Sequence, residues 1–172
     1  HRVSTSEFIS GSGRLVRLGR ELGRGGEGAV FEIAGEAGQV AKIYHSLPDS
    51  QKAAKIASMV ASKNDGLLKI ATWPTEALEA PRSKALVGLV MPKIVGYADL
   101  HKLYGPKSRL QQFPNATWAF LVHTSANIAR AFAVVHSNGH VIGDVNHGNV
   151  VASADGTVKL IDCDSFQISF GG

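Results

Sequence analysis

Apolar and polar positions are grouped along the chain in stretches whose spacing predicts its elements. Leu15-Val16-Arg17-Leu18-Gly19-Arg20-Glu21-Leu22 reads as a strand. After a glycine-rich run, Val30-Phe31-Glu32-Ile33 and Gln39-Val40-Ala41-Lys42-Ile43-Tyr44 read as two more strands around the turn Ala34 to Gly38. Leu47-Pro48-Asp49-Ser50 is a helix start, and Gln51 to Ser62 carries Ala53, Ile56, Ala57 and Val60 at helical spacing. Residues 67–80 and 85–94 read as strands, the second around the apolar run Leu86-Val87-Gly88-Leu89-Val90-Met91. Asp99 to Arg109 holds a short helix and a Gly105-Pro106 break. The longest helix signal runs from Ala116 to His136, with Trp118, Leu121, Val122, Ile128, Ala129, Phe132 and Val135 on its apolar positions and Gly139 as its stop. Val150-Val151 and Val158 to Ile161 flank Ala154-Asp155-Gly156-Thr157, which predicts a β-hairpin turning at Asp-Gly. Residues 1–14, polar and rich in Gly and Ser, are expected to be a loose lead-in.

Composition narrows the class. The 172 residues are 44% hydrophobic and 19% charged, an ordinary globular balance. A net charge of +4 suits an anionic ligand, but the basic residues are scattered, which argues against nucleic-acid binding. The single cysteine, Cys163, excludes an internal disulfide. His123, His136 and His140 have no cysteine partners, so a metal site is not expected, and His136 and His140 are expected to pack and hydrogen-bond. No apolar run approaches the roughly 20 residues of a membrane span. The start shows no charged-then-apolar leader, so a soluble cytoplasmic protein without membrane contact is expected. His1 in place of Met points to a trimmed start.

Two stretches carry candidate chemistry. In His140 to Asp164, Asp144 is followed five residues later by Asn149, then by the predicted hairpin and Asp162. A hairpin folds its ends back together, so Asn149 and Asp162 are expected side by side with Asp144 on the adjoining loop. Two oxygen ligands beside a third carboxylate suit Mg²⁺ carrying a polyphosphate, since Mg²⁺ takes one or two protein ligands beside the phosphates. The same residue types are also ordinary turn-formers. The second stretch, Gly23-Arg24-Gly25-Gly26-Glu27-Gly28-Ala29-Val30, fits G-x-G-x-x-G-x-V. A dinucleotide-binding unit needs a helix after the glycines. Here a strand follows, so the glycines sit in a hairpin, where their backbone can approach phosphates closely.

Together these runs resemble the protein-kinase fold, with its H-R-D-L-x-x-x-N and D-F-G loops. The resemblance covers residues 15 to about 168 and implies an α+β bilobal architecture. Residues 1–94 would be an antiparallel β-rich N-lobe with one helix, and 95–172 the hinge and start of a helical C-lobe. It implies ATP as donor, Mg²⁺ as cofactor and Ser or Thr of a protein as acceptor. Asp144 takes the catalytic position, and Asn149 and Asp162 the metal positions. Val40-Ala41-Lys42 resembles the V-A-I-K strand one residue short, which makes Lys42 the phosphate-binding and catalytic lysine. Gly23, Gly25, Gly26 and Gly28 would cover the phosphates, and Val30, Ala41 and Val151 would sandwich the adenine. Met91 matches the gatekeeper, Pro92 and Ile94 the hinge partners of the adenine edge, and Asp99 a ribose contact.

The departures point to alternatives. Ile142-Gly143 replaces His-Arg, and Asp162-Cys163-Asp164 replaces D-F-G. The missing Arg implies no switching by activation-loop phosphorylation. Gly143-Asp144 and Asp164 also resemble small-molecule phosphotransferases of the aminoglycoside and choline kinase type. The helix that should supply a Glu to Lys42 has none, because the only acids between Lys42 and Glu76 are Asp49 and Asp65. Either Lys42 is then held by Asp162 or by the later Glu76 or Glu79, or the active arrangement is unconventional, or the chain is a pseudokinase that binds nucleotide or nothing and serves as an interaction module. Gly172 follows soon after Asp162, before any acceptor platform, so this length alone is expected to transfer no phosphate and to self-associate.

Overall fold

The computed structural model describes residues 6–143 and 147–168. The chain divides into two compact units, His1–Lys63 with Trp73–Lys93, and Asn64–Thr72 with Ile94–Gly172. The second stretch of the first unit ends at Lys93, and Asn64–Thr72 is an excursion of the chain into the second unit.

The first unit is a closed antiparallel barrel. Its strands are β1 (Glu7–Ser10), β2 (Leu15–Arg24), β3 (Gly28–Ile33), β4 (Glu36–Tyr44), β5 (Glu76–Glu79) and β6 (Leu86–Pro92). Their order is β1-β2-β3-β4-β6-β5, and β5 returns to β1 through Ile9 opposite Glu79 and Ser10 opposite Leu78. The interior is filled by Phe8, Val16, Ile33, Ala41, Leu78 and Val90. The supposed lead-in therefore contains the closing strand. Its two inward residues are Phe8 and Ser10, so only one apolar side chain marked its buried face.

Helix α1 (Ser50–Ala61) starts at Asp49, whose carboxylate accepts the Lys52 amide at 2.7 Å. It buries Ile56 and Met59. At its C-terminal end the buried Trp73 indole N–H donates to the Met59 carbonyl at 2.8 Å.

The second unit is built on helices and a small sheet. Helix α2 (Asp65–Ile70) is capped by Asn64, whose side chain accepts the Leu67 amide at 3.0 Å. Residues 67–70 are thus helical where a strand was expected, because the Asn64 cap and Asp65 in the first turn decide a short apolar run of ambiguous period. Next come β7 (Tyr97–Asp99), a 3-10 turn over Leu100–Leu103, α3 (Pro106–Gln112) and α4 (Trp118–Ser137). Gly105-Pro106, expected to be a break, starts α3, with Pro106 where its missing N–H costs nothing. Strands β8 (Val150–Ser153) and β9 (Val158–Leu160) complete a sheet ordered β7-β8-β9.

Helix α4 packs against α2 and β9 and buries Thr124, Ala131 and Val135. Trp118 and Val122, read as part of its apolar stripe, are exposed. By length and composition alone α4 is long and apolar enough to cross a membrane (20 residues, mean hydropathy 1.2), although its apolar residues do not form an unbroken run.

Candidate functional site

The glycine turn separates glycines that the fold requires from glycines that it does not. A Cβ on Gly28 would stand 2.5 Å from the Ile43 carbonyl oxygen, so Gly28 lets β3 close on β4. Gly23 and Gly26 would meet nothing within 4 Å, and Gly25 only the Gly28 oxygen at 3.9 Å. None of these three has a positive φ among the described residues. The turn is nonetheless tied down. The Gly25 amide donates to the Gly28 carbonyl at 2.9 Å, the His45 amide to the Glu27 carbonyl at 2.9 Å, and the His45 Nε2 lies 2.8 Å from the Gly25 carbonyl. Among the described residues nothing explains Gly23, Gly25 and Gly26, whereas a phosphate approaching the backbone would.

Lys42 sits on β4 opposite Val30 of β3 and Leu89 of β6. Ala41 is wholly buried in the barrel interior, so the pleat turns Val40 and Lys42 to the other face. Ala41 was expected to contact adenine. Its core position puts it on the wrong face, and Val40, opposite Met91, shares Lys42's face. The apparent one-residue shortening of the V-A-I-K pattern disappears once Val40 takes the place of its Ala.

Lys42 is 7% exposed. Its Nζ lies 3.7 Å from the Glu27 Oε2, and the same oxygen lies 3.2 Å from the Lys52 Nζ on α1. Both ammonium groups sit over the Tyr44 ring, at 5.4 Å and 4.5 Å from its centroid. Sequence reasoning missed Glu27, Lys52 and Val40. Strand alternation alone would have found Val40, while Glu27 was visible only as the acid inside a Gly-Gly-Glu-Gly run.

In the second unit, Val150 pairs with Leu160, and the Ile161 amide donates to the Asn149 carbonyl at 2.9 Å. The hairpin therefore brings the Asn149 and Asp162 backbones to one end, as its sequence predicts. Asp162 has φ 54° and ψ 43°, a left-handed conformation unusual for a residue with a side chain. Ser165 holds it there, donating from its amide and its hydroxyl to the Asp162 carbonyl at 3.0 and 2.7 Å. Strain of this kind concentrates at functional sites. An amide and a carboxylate at one rim are hard oxygen donors and fit Mg²⁺. Among the described residues no group of three His, Cys, Asp or Glu could hold a metal.

Asp164 is buried, and so is Cys163, where burial pushes the thiol up to about 12. His140 is buried with its pKa lowered by desolvation, while His136 is exposed. Asp144 lies outside the described residues. Its flank is fixed, since Val141 and Gln167 exchange two backbone hydrogen bonds of 2.8 Å.

The remaining predicted positions are ordinary in their local setting. Met91 and Pro92 end β6, opposite Val40 and Gln39. Ile94 follows it, half-buried. Asp99 ends β7 opposite Val151, which is 4% exposed, and its carboxylate lies 3.9 Å from the His101 Nδ1. A cavity in the second unit, lined by Leu100, Leu103, Leu121 and Thr124 among others, includes none of these positions.

Comparison with known proteins decides the fold. The ROP18 kinase domain in complex with AMP-PNP and sucrose superposes with a TM-score of 0.57 at 17% identity, over 96% of this chain and 57% of that one. The Toxoplasma gondii specific rhoptry antigen kinase domain gives 0.62 at 17%, over 93% and 53%. The chain has a protein-kinase-like fold. In sequence, it is 44% identical over 166 residues to protein kinase YegI of Escherichia coli strain K12. It is equally similar, over 165 residues, to the protein of that name in Escherichia coli O157:H7. These alignments take in 96% of this chain but 26% of each relative, so the chain spans about a quarter of their length. No protein-family model matches it.

Proposed function

We propose that this chain supplies the nucleotide- and metal-binding elements of a kinase that transfers phosphate from ATP to Ser or Thr of a protein. The observation that carries the reading is the glycine turn, because Gly23, Gly25 and Gly26 have open space above them that the fold does not use. Beside it, Lys42 offers a buried ammonium on the strand next to the turn. In this reading the three glycines admit the phosphates, and Gly28 keeps the turn closed behind them. Lys42 neutralises the α/β phosphates. The first unit offers Val30 and Val40 to the adenine and Met91 and Pro92 to its edge, and the second unit carries the other matching positions, Ile94, Asp99 and Val151. Asn149 and Asp162 hold Mg²⁺, whose chemistry is to draw charge from the phosphate oxygens. Asp144 orients the acceptor hydroxyl and takes its proton. ATP as donor makes the cytoplasm the expected compartment.

The test is titration calorimetry with ADP and ATP, with and without Mg²⁺. Nucleotide binding that requires Mg²⁺ and is weakened by Lys42→Met and by Asp162→Asn is expected. Binding indifferent to both substitutions would refute the assignment. A second reading, a nucleotide-binding interaction module without turnover, is favoured by one observation: α1 carries no carboxylate. In the protein at its natural length, incorporation of labelled phosphate into the protein itself would exclude that module, and its absence with intact binding would favour it.

A further inference from the structure

Lys42 is a buried cation, and burial of a charge is tolerated only beside a compensating one. The kinase pattern takes that compensation from the helix after the lysine strand. Here the corresponding helix, α1, reads Ser-Gln-Lys-Ala-Ala-Lys-Ile-Ala-Ser-Met-Val-Ala and offers another cation instead. Its third residue, Lys52, is aimed at the Lys42 neighbourhood. It stands over the same Tyr44 ring and reaches the same carboxylate oxygen. That oxygen belongs to Glu27, in the middle of the glycine turn. The Glu27 main chain is not free to wander, because its carbonyl accepts the His45 amide and the turn is closed by Gly25 and Gly28.

We infer that Glu27 is a positioning residue for Lys42, with Lys52 as the counter-anchor that holds the Glu27 carboxylate over it. An isolated surface pair between Glu27 and Lys52 would contribute little. What distinguishes this cluster is that one carboxylate bridges an exposed turn to an ammonium that is 7% exposed. Two cations meet at the Glu27 carboxylate, beside the turn that is open to phosphate. The orienting carboxylate also travels with the glycine turn. Seating the turn and aiming the lysine become one event, where a helix-borne glutamate would make them two. This inference rests on the nucleotide-binding reading above.

The experiment compares the wild type, Glu27→Gln, and the double variant Glu27→Gln with Lys52→Glu, which moves the carboxylate from the turn to the helix. Two quantities are read: Mg²⁺·ATP affinity by calorimetry, and the Lys42 side-chain resonance in lysine-labelled protein without nucleotide, assigned through Lys42→Arg. Glu27→Gln is expected to shift the Lys42 resonance. It should weaken ATP by roughly 10–100-fold, the scale on which partners supporting a ligating group act. The double variant is expected to recover most of that affinity. An unmoved Lys42 resonance in Glu27→Gln overturns the inference, as does a double variant no better than the single one. If the wild type binds no nucleotide, the proposed function fails, and the Lys42 resonance still decides whether Glu27 holds the lysine.

Discussion

Substituting alanine at Gly26 and at Gly28 separates the part of the glycine turn that folds the protein from the part that serves a ligand. At Gly28 the new methyl would sit 2.5 Å from the Ile43 carbonyl oxygen and 3.2 Å from the Tyr44 Cα, both backbone atoms of β4. The two strands must part to admit it. Overpacking of this kind costs about 1–3 kcal/mol. Stiffening of the unfolded chain returns about 0.4–1 kcal/mol. The net cost is up to about 2.6 kcal/mol, and for a chain of this length each kcal/mol moves Tm by about 2–4 °C, so Gly28→Ala should melt up to about 10 °C lower. At Gly26 nothing lies within 4 Å and φ is not positive, so only the unfolded-state gain remains. Gly26→Ala should melt at the wild-type temperature or up to about 4 °C above it. Its defect should appear with ligand. A nucleotide at about 100 times its Kd stabilises the wild type by about 2.7 kcal/mol. Gly26→Ala should lose most of that increment, because the methyl occupies the space a phosphate needs. The assay is thermal unfolding followed by circular dichroism, with and without Mg²⁺·ADP. A Gly26→Ala protein that melts as low as Gly28→Ala, or keeps the full nucleotide-induced rise, would refute the division of roles.

Three further outcomes are expected. In the protein at its natural length, Asp144→Asn should leave ATP affinity nearly unchanged while turnover falls by about 10²–10⁴, the usual contribution of a positioned acid–base group; single-turnover kinetics beside calorimetry checks both. Cys163, buried and with its thiol pushed up to about 12, should resist a disulfide reagent at neutral pH until the protein is unfolded. His140 has its pKa lowered by desolvation, so between that value and the ordinary 6.5 the unfolded chain binds more protons than the folded one. Its contribution to stability is therefore present above about 6.5 and lost as pH falls through the folded pKa. His140→Gln should flatten that part of a stability–pH curve measured by urea unfolding.

What could be read from the chain depended on whether the signal was local. The Asp155-Gly156 hairpin was legible because turn chemistry fixes it within a few residues, and Gly156 has the φ of +84° that such a turn needs. Helix α1 was legible from Asp49 and its spacing, although Met59, and not Ala57, is buried on it. β1 was not, since Phe8 and Ser10 acquire their meaning only from β2 and β5, far along the chain. The face of Ala41 failed for a related reason. Lettering copied from a pattern ignores the pleat, and the barrel core decides which of Val40 and Ala41 turns inward. The glycine turn was found as a motif, but the difference between Gly26 and Gly28 depends on where β4 runs beside it.

The excursion of Asn64–Thr72 has a consequence for how this protein can be cut or exchanged. The chain passes between its two units three times, after Lys63, after Thr72 and after Lys93. A single nick near the exposed Val95 would cut the chain in two but leave Asn64–Thr72, covalently part of the first piece, packed within the second unit, so proteolysis there should change the pattern on a denaturing gel without separating the units in solution. Nor can the first unit be lifted out as one contiguous stretch. A piece ending at Lys93 would carry Leu67, which is fully buried, and Thr72, whose amide donates to the Leu160 carbonyl, without the partners that cover them. Recombination between relatives would therefore tend to inherit both units as a single block, with Asn64–Thr72 acting as a stitch that makes the modules inseparable.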